Sequence, residues 1–277
     1  MEKLQLYKKR VEYLQEMRKI KRTQPTKPDI LMKITQVPKK SVVPLDIYQF
    51  WHDENLPECL IETTNNIKVN NPEFNYHLYN LETAREFIKD NFDNNVLEAY
   101  DNLVPNALKC DLFRYCVMYL RGGIYLDIKY MCINRFKFIS LTDSAYLCKD
   151  VDYCQGGICN AILICLPNTK FMKMAIDMVV YNVKRQFYGI DGLEPTGPLM
   201  LKYIHNSMFQ KHSLDDLDLK LMCIYDTNNK RNLFITYKDV PILAYNNKYR
   251  NLFTTVHKHW TTYYAEGTIY KNKVISP

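Results

Sequence analysis

The sequence has no apolar run approaching the ~18 consecutive residues of a membrane span. Its N-terminus lacks the apolar stretch of a signal peptide. No N-x-S/T glycosylation acceptor occurs in the chain. These absences predict a cytoplasmic location, peripheral to a membrane at most. There is no internal repeat and no low-complexity block. Glycine is scarce, at 8 of 277 residues, while Asn, Lys, Tyr and Ile are abundant, a bias that points to an AT-rich genome rather than a mechanism. The nine cysteines are an odd number, and Cys116, Cys132 and Cys165 sit inside apolar runs. That favours reduced, buried thiols in a reducing compartment. Cys148, Cys154 and Cys159 are spaced by six and five, which is poor zinc spacing.

Positive charge is unevenly placed. Residues 1–40 carry 12 Lys/Arg against 4 Asp/Glu, which leaves 25 against 26 for residues 41–277. The formal net charge of +7 therefore belongs to the N-terminal segment. Leu4, Tyr7, Val11 and Leu14 fall at helical spacing and predict a basic helix over 1–23. Two readings are open: a solvated helix packed on the domain, or a helix lying on an anionic membrane surface or partner. Nothing there carries a nucleic-acid-binding signature, so no nucleic acid partner is expected. Residues 24–44 contain four prolines and read as a linker.

Two of the few glycines stand together in GGIYLDIK, residues 122–129. Read as a strand, this segment places Tyr125, Asp127 and Lys129 on one face and Ile124, Leu126 and Ile128 on the other. The glycines allow a tight turn and close approach of backbone or ligand. Residues 105–120 read as a helix with Pro105 suited to its first turn and Leu108, Leu112, Cys116 and Leu120 facing the core. Asp111 and Arg114 lie one turn apart on a neighbouring face, and the helix, turn and strand would bring them towards Asp127.

The string ALKCDLFRYCVMYLRGGIYLDIKY resembles the signature of glycosyltransferase family 32, the group of the yeast mannosyltransferases and capsular polysaccharide sugar transferases. The region is also similar to that of the clostridial glucosylating toxins. The family pattern, A-x-x-S-D-x-x-R-Y-x-x-L-Y-x-x-G-G-x-Y-x-D-x-D, is met at Ala107, Asp111, Arg114, Tyr115, Tyr119, Gly122, Gly123, Tyr125 and Asp127. It is broken at Cys110, where serine is usual, and at Lys129, where the second aspartate is usual. PLDIYQFW over 44–51 resembles the family's opening strand, with Tyr48 in place of histidine. NPEFNYHLY over 71–79, Asn160-Ala161-Ile162, Thr196-Gly197-Pro198 and His259-Trp260 match later landmarks in order.

The resemblance implies a GT-A-type α/β domain over 41–277, with a mostly parallel central sheet flanked by helices. It implies hexose transfer from a UDP- or GDP-sugar to a glycan, lipid or protein hydroxyl, with retention of configuration. Asp111 and Arg114 would hold the donor sugar, and Tyr125, Asp127 and Trp51 the nucleoside. His259 and Trp260 would form a closing segment on the diphosphate. A divalent metal, manganese, is implied as cofactor, but a lysine has no lone pair with which to bind it. Either Asp127, Asp150, Asp152 or His259 holds the metal, or Lys129 itself neutralises the diphosphate. Asp127 and His259 are the leading metal ligands.

Each residue also has a plain structural reading. Asp111 with Arg114 would be a helix-surface pair, Trp51 a core aromatic, and Lys129 a solvated strand end. Asp150-Val151-Asp152 reads first as an exposed turn and second as a metal site. His257 and His259 would share one face of a strand. At the level of the whole chain, a degenerate sugar-nucleotide-binding protein and a scaffold working through its basic helix remain open.

Further strands are expected over 47–51, 145–148 and 158–166. Helices are expected over 81–91, 97–100 and 170–187, the last with Phe171, Met174, Met178 and Tyr181 on one side.

Overall fold

The computed structural model describes residues 40–151, 156–209, 213–225, 231–253 and 258–271. The expected basic helix over 1–23, most of its linker, Asp152, Cys154 and His257 lie outside them. Among the described residues, no helix is long and apolar enough to cross a membrane.

The chain opens with β1 (Asp46–Phe50), α1 (Glu58–Asn70) and β2 (Asn75–Tyr79), followed by α2 (Leu81–Asn91), α3 (Asn94–Asn102) and α4 (Asn106–Arg121). Side-chain caps define two of these helices. Asn80 accepts from the backbone N–H groups of Glu82 and Thr83 at the start of α2, and Asp93 accepts from Asn95 and Val96 at the start of α3. Then come β3 (Gly123–Leu126), β4 (Tyr130–Cys132), β5 (Cys148–Asp150), β6 (Ile162–Cys165), α5 (Lys170–Lys184) and α6 (Pro198–Met208). The hairpin strands β7 (Leu219–Tyr225), β8 (Arg231–Tyr237) and β9 (Val240–Tyr245) precede the short α7 (Trp260–Glu266).

Two sheets result. The first has the order β2-β1-β3-β6, with β1 parallel to both β2 and β3, and β6 antiparallel to β3. This is the expected mostly parallel central sheet. The second has the order β4-β9-β8-β7-β5 and is antiparallel except for the β5–β7 pair. Of its strands only β5 meets an expected one, the strand over 145–148, and it begins at Cys148.

The alternation along β3 holds, but both of its faces are buried. Ile124 and Leu126 enter an apolar cluster with Ile47, Ile162, Leu219, Ile235 and Leu243, while Tyr125 enters the helix-side core with Tyr48, Tyr115 and Leu163. A central strand covered on both sides carries no polar row. The strand also stops at Leu126, so Lys129 lies in the turn to β4 rather than on a shared strand face.

Gly122 caps α4 with φ 65° and Gly123 opens β3 with φ 93°. A Cβ on Gly123 would lie 2.6 Å from the Asp46 carbonyl oxygen, and one on Gly122 would lie 2.8 Å from that of Cys165. The close approach is therefore to neighbouring strands. On α5 the buried stripe is Phe171, Met172, Ala175, Ile176, Val179 and Val183, and Tyr181 is exposed. The expected face is thus rotated, because the stripe follows the side that meets α4 and α6.

Candidate active site

Helix α4 carries Asp111 and Arg114 into the wall of a cavity of about 560 Å³, in the size range of small-molecule sites. Trp51, Asp111, Asp127, Lys129, Asp150 and His259 are among its lining residues. Arg114 is 5 % exposed and its ion pairs are buried, so it is not part of a helix-surface pair. Its Nη2 lies 3.2 Å from Asp111 Oδ1 and its Nη1 lies 3.1 Å from Asp127 Oδ1. Nη1 also donates to the Asn160 carbonyl at 2.6 Å, Nε to that of Cys110 at 3.3 Å, and the guanidinium stands 4.6 Å above the Tyr125 ring. A buried fork with this many acceptors has one orientation.

The two carboxylates experience different environments. Asp111 Oδ1 also accepts from Asn160 Nδ2 at 2.9 Å, and Oδ2 accepts from Thr196 Oγ1 at 2.7 Å. Burial pushes its pKa up to about 6, against the opposing pull of Arg114 and the Thr196 hydrogen bond. Asp127 is half-buried, but Arg114 and Lys129 together outweigh its desolvation and hold its carboxyl below the usual range. Asp127 Oδ2 lies 2.7 Å from Lys129 Nζ, and Oδ1 accepts from the Tyr125 hydroxyl at 3.0 Å. Burial opposes the Lys129 ammonium, and the Asp127 charge reverses that and raises its pKa.

Tyr125 is 1 % exposed, so only its hydroxyl reaches the site, between Asp127 and the Cys110 thiol at 3.0 Å. Trp51 is 4 % exposed; its Nε1 donates to the Asn55 carbonyl at 3.1 Å and its ring packs with Leu60 and Ile128. It borders the cavity as a largely buried aromatic.

Asp150 is buried at the end of β5, not on an exposed turn, because β5 pairs with β7 there. Cys148 and Cys159 are both buried free thiols. His259 caps α7 instead of lying in a strand, with Nδ1 2.8 Å from Thr261 Oγ1. Its pKa is lowered by burial and by the nearby Lys129 charge. Trp260 packs at the edge of the helix-side core over Gly192, where a Cβ would lie 2.7 Å from its ring.

These contacts bear on the implied metal. Among the described residues, no three His, Cys, Asp or Glu side chains group as ligands. Both Asp127 oxygens already face cationic groups, and a metal on His259 would stand near the Lys129 ammonium. At Asp127, therefore, a directly bound divalent cation would have to share an oxygen with a cationic side chain.

Sequence reasoning gave no role to Asn160, Thr196 or Tyr115. The Tyr115 hydroxyl donates to the Thr196 carbonyl at 2.7 Å and accepts from Asn160 Nδ2 at 2.9 Å, so the three hold Asp111 from behind. The ordered landmarks at Asn160 and Thr196 were the available signal.

Residues 57–146 match the family described as glycosyltransferase sugar-binding region containing DXD motif. An uncharacterized glycosyltransferase of Acanthamoeba polyphaga mimivirus is 32% identical over 124 residues, 42% of this chain and 49% of that protein. Inositol phosphoceramide mannosyltransferase 3 of Schizosaccharomyces pombe is 31% identical over 167 residues, 60% of this chain and 46% of that protein. The chain thus spans about half the length of these curated relatives. The solved PaToxG glycosyltransferase superposes with a TM-score of 0.50 at 16% identity, covering 76% of this chain and 80% of that one, a likeness of fold. By these matches the chain carries a glycosyltransferase sugar-binding region of the DXD type on a GT-A-type α/β fold, and it resembles the family 32 glycosyltransferases, with lysine at the second acidic position of the motif.

Proposed function

We propose that this protein is a hexosyltransferase that moves a sugar from a UDP- or GDP-hexose to an acceptor hydroxyl, with retention at the anomeric carbon. The observation that carries the reading is the Asp111–Arg114–Asp127 cluster around a buried guanidinium, which lines the cavity within the matched segment. With Arg114 fixed by its acceptors, Asp111 and Asp127 stand as oriented acceptors for sugar and ribose hydroxyls. Trp51 borders the nucleoside end, and Lys129, His259 and Trp260 border the diphosphate end. The chemical need is to stabilise the charge that appears on the departing diphosphate as the sugar becomes oxocarbenium-like.

The name of the fission-yeast relative supports mannose as a donor sugar and a lipid headgroup among the glycan, lipid and protein acceptors. The Lys129–Asp127 pair favours a second reading, a protein that binds the sugar nucleotide without turnover. Release of UDP or GDP from a panel of sugar nucleotides, with product anomers read by NMR, separates the two. Turnover with net retention supports the transferase. Nucleotide binding without turnover on any donor supports the second reading.

A further inference from the structure

We propose that Lys129 supplies from within the chain the positive charge that holds and neutralises the donor's diphosphate, so that the site works without a divalent cation on Asp127. The inference rests on the nucleotide-sugar reading above. Its first support is the occupancy of Asp127. A carboxylate offers about four lone-pair positions. Here Arg114 and the Tyr125 hydroxyl take Oδ1, and Lys129 takes Oδ2. A cation bound at about 2.0–2.6 Å would have to displace the ammonium or share an oxygen with it.

The second support is charge. A lysine in place of an aspartate adds two positive units, the charge of one divalent ion. Asp111, Arg114, Asp127 and Lys129 sum to a formal zero, so this cluster holds no carboxylate in need of a metal. The third is placement. The Lys129 carbonyl accepts from Asn246 N–H at 2.8 Å, and its ammonium lies 6.0 Å from the Tyr249 ring, which anchors both ends of the residue. The side chain keeps 27 % exposure and lines the cavity together with His259. An ammonium has three donors, and one is used on Asp127.

In the reaction, the bond between the anomeric carbon and the β-phosphate oxygen breaks, and its electron pair leaves with the diphosphate. The acceptor hydroxyl oxygen bonds to that carbon, and its proton passes to the departing phosphate. Lys129 meets the negative charge gained by the diphosphate and is not consumed.

The test measures UDP and GDP binding by calorimetry, manganese binding by electron paramagnetic resonance, and donor hydrolysis, each in EDTA and in manganese. The variants are Lys129→Met, Lys129→Arg and Lys129→Asp. The parent is expected to bind one nucleoside diphosphate in EDTA and to turn over donor at a rate that manganese does not raise. Lys129→Met should lose about a hundredfold in rate under both conditions. Lys129→Arg should retain most of the binding, and Lys129→Asp should bind manganese and depend on it.

A parent that binds diphosphate only with manganese overturns the proposal, whatever the variants do. So does a folded Lys129→Met with parental binding in EDTA. If neither nucleotide binds the parent under any condition, the nucleotide-sugar reading fails and this inference falls with it.

Discussion

Arg114 and Asp127 meet at 3.1 Å although one belongs to a helix and the other to the turn beyond the next strand. The glycine turn between α4 and β3 makes that meeting possible.

Asp127→Asn should lower donor turnover by about a hundredfold or more, because an oriented acceptor in the cavity is lost. The fold should survive. Arg114 keeps its contact with Asp111, and the change should cost about 1–3 kcal/mol. Steady-state hydrolysis and a thermal melt check both statements. A variant as active as the parent removes Asp127 from the site.

Donor binding should weaken as pH falls through about 6, where Asp111 takes up a proton and loses its role as acceptor. The stability effects of the two carboxylates have opposite signs. Asp111 has a raised folded pKa, so its contribution falls as pH rises from the unfolded value of about 3.9 to about 6. Asp127 has a lowered folded pKa, so its contribution is present above the unfolded value and is lost below it. Asp111→Asn should erase the binding inflection, and Thr196→Val, which removes the 2.7 Å hydrogen bond, should move it upward. Calorimetric titrations between pH 5 and pH 8 decide the matter. An inflection that persists in Asp111→Asn assigns it to another group.

Gly123→Ala should destabilise the domain by more than the ~1–3 kcal/mol of backbone strain alone, since its Cβ would also collide with the Asp46 carbonyl oxygen at 2.6 Å. Gly267→Ala is the comparison. Its φ is 70°, but nothing lies within 4 Å of the added carbon, so about 1–2 kcal/mol is expected. Urea unfolding of the two variants should rank them in that order, and the reverse order would contradict the packing described at Gly123.

Deleting residues 1–23 should leave nucleotide binding nearly unchanged, because the residues assigned to the donor, from Trp51 to Trp260, all come later in the chain. It should reduce adsorption to anionic vesicles, and that adsorption should weaken with salt. Full-length protein that ignores such vesicles at low salt would assign the segment to packing.

Local signals were legible in the sequence where they were complete. The helix over 81–91 was readable to the residue, and the observed β1 begins and ends one residue before its expected 47–51. The second sheet was not readable, although Leu233, Ile235 and Tyr237 alternate along β8. Its turn is Lys238-Asp239, with φ 49° and 63°, and carries neither of the Gly or Asn residues that usually mark such a hairpin. Asp111 and Arg114 were placed together by helical spacing, whereas Asn160 and Thr196 reach Asp111 from 49 and 85 positions away. Spacing holds no information at that range. The Lys129–Asp127 contact was foreseeable only as a shared strand face, and a turn provides it instead.

Helix α4 has a consequence for laboratory evolution. The turns that bear Asp111 and Arg114 also bear Leu112, Phe113 and Tyr115, all wholly buried. A library on this helix mixes lost activity with lost protein, so most of its dead clones say nothing about donor choice. Lys129 and His259 sit on connections at the cavity rim, outside the strands and helix interiors. Substitutions there should leave the protein folded and so read activity directly.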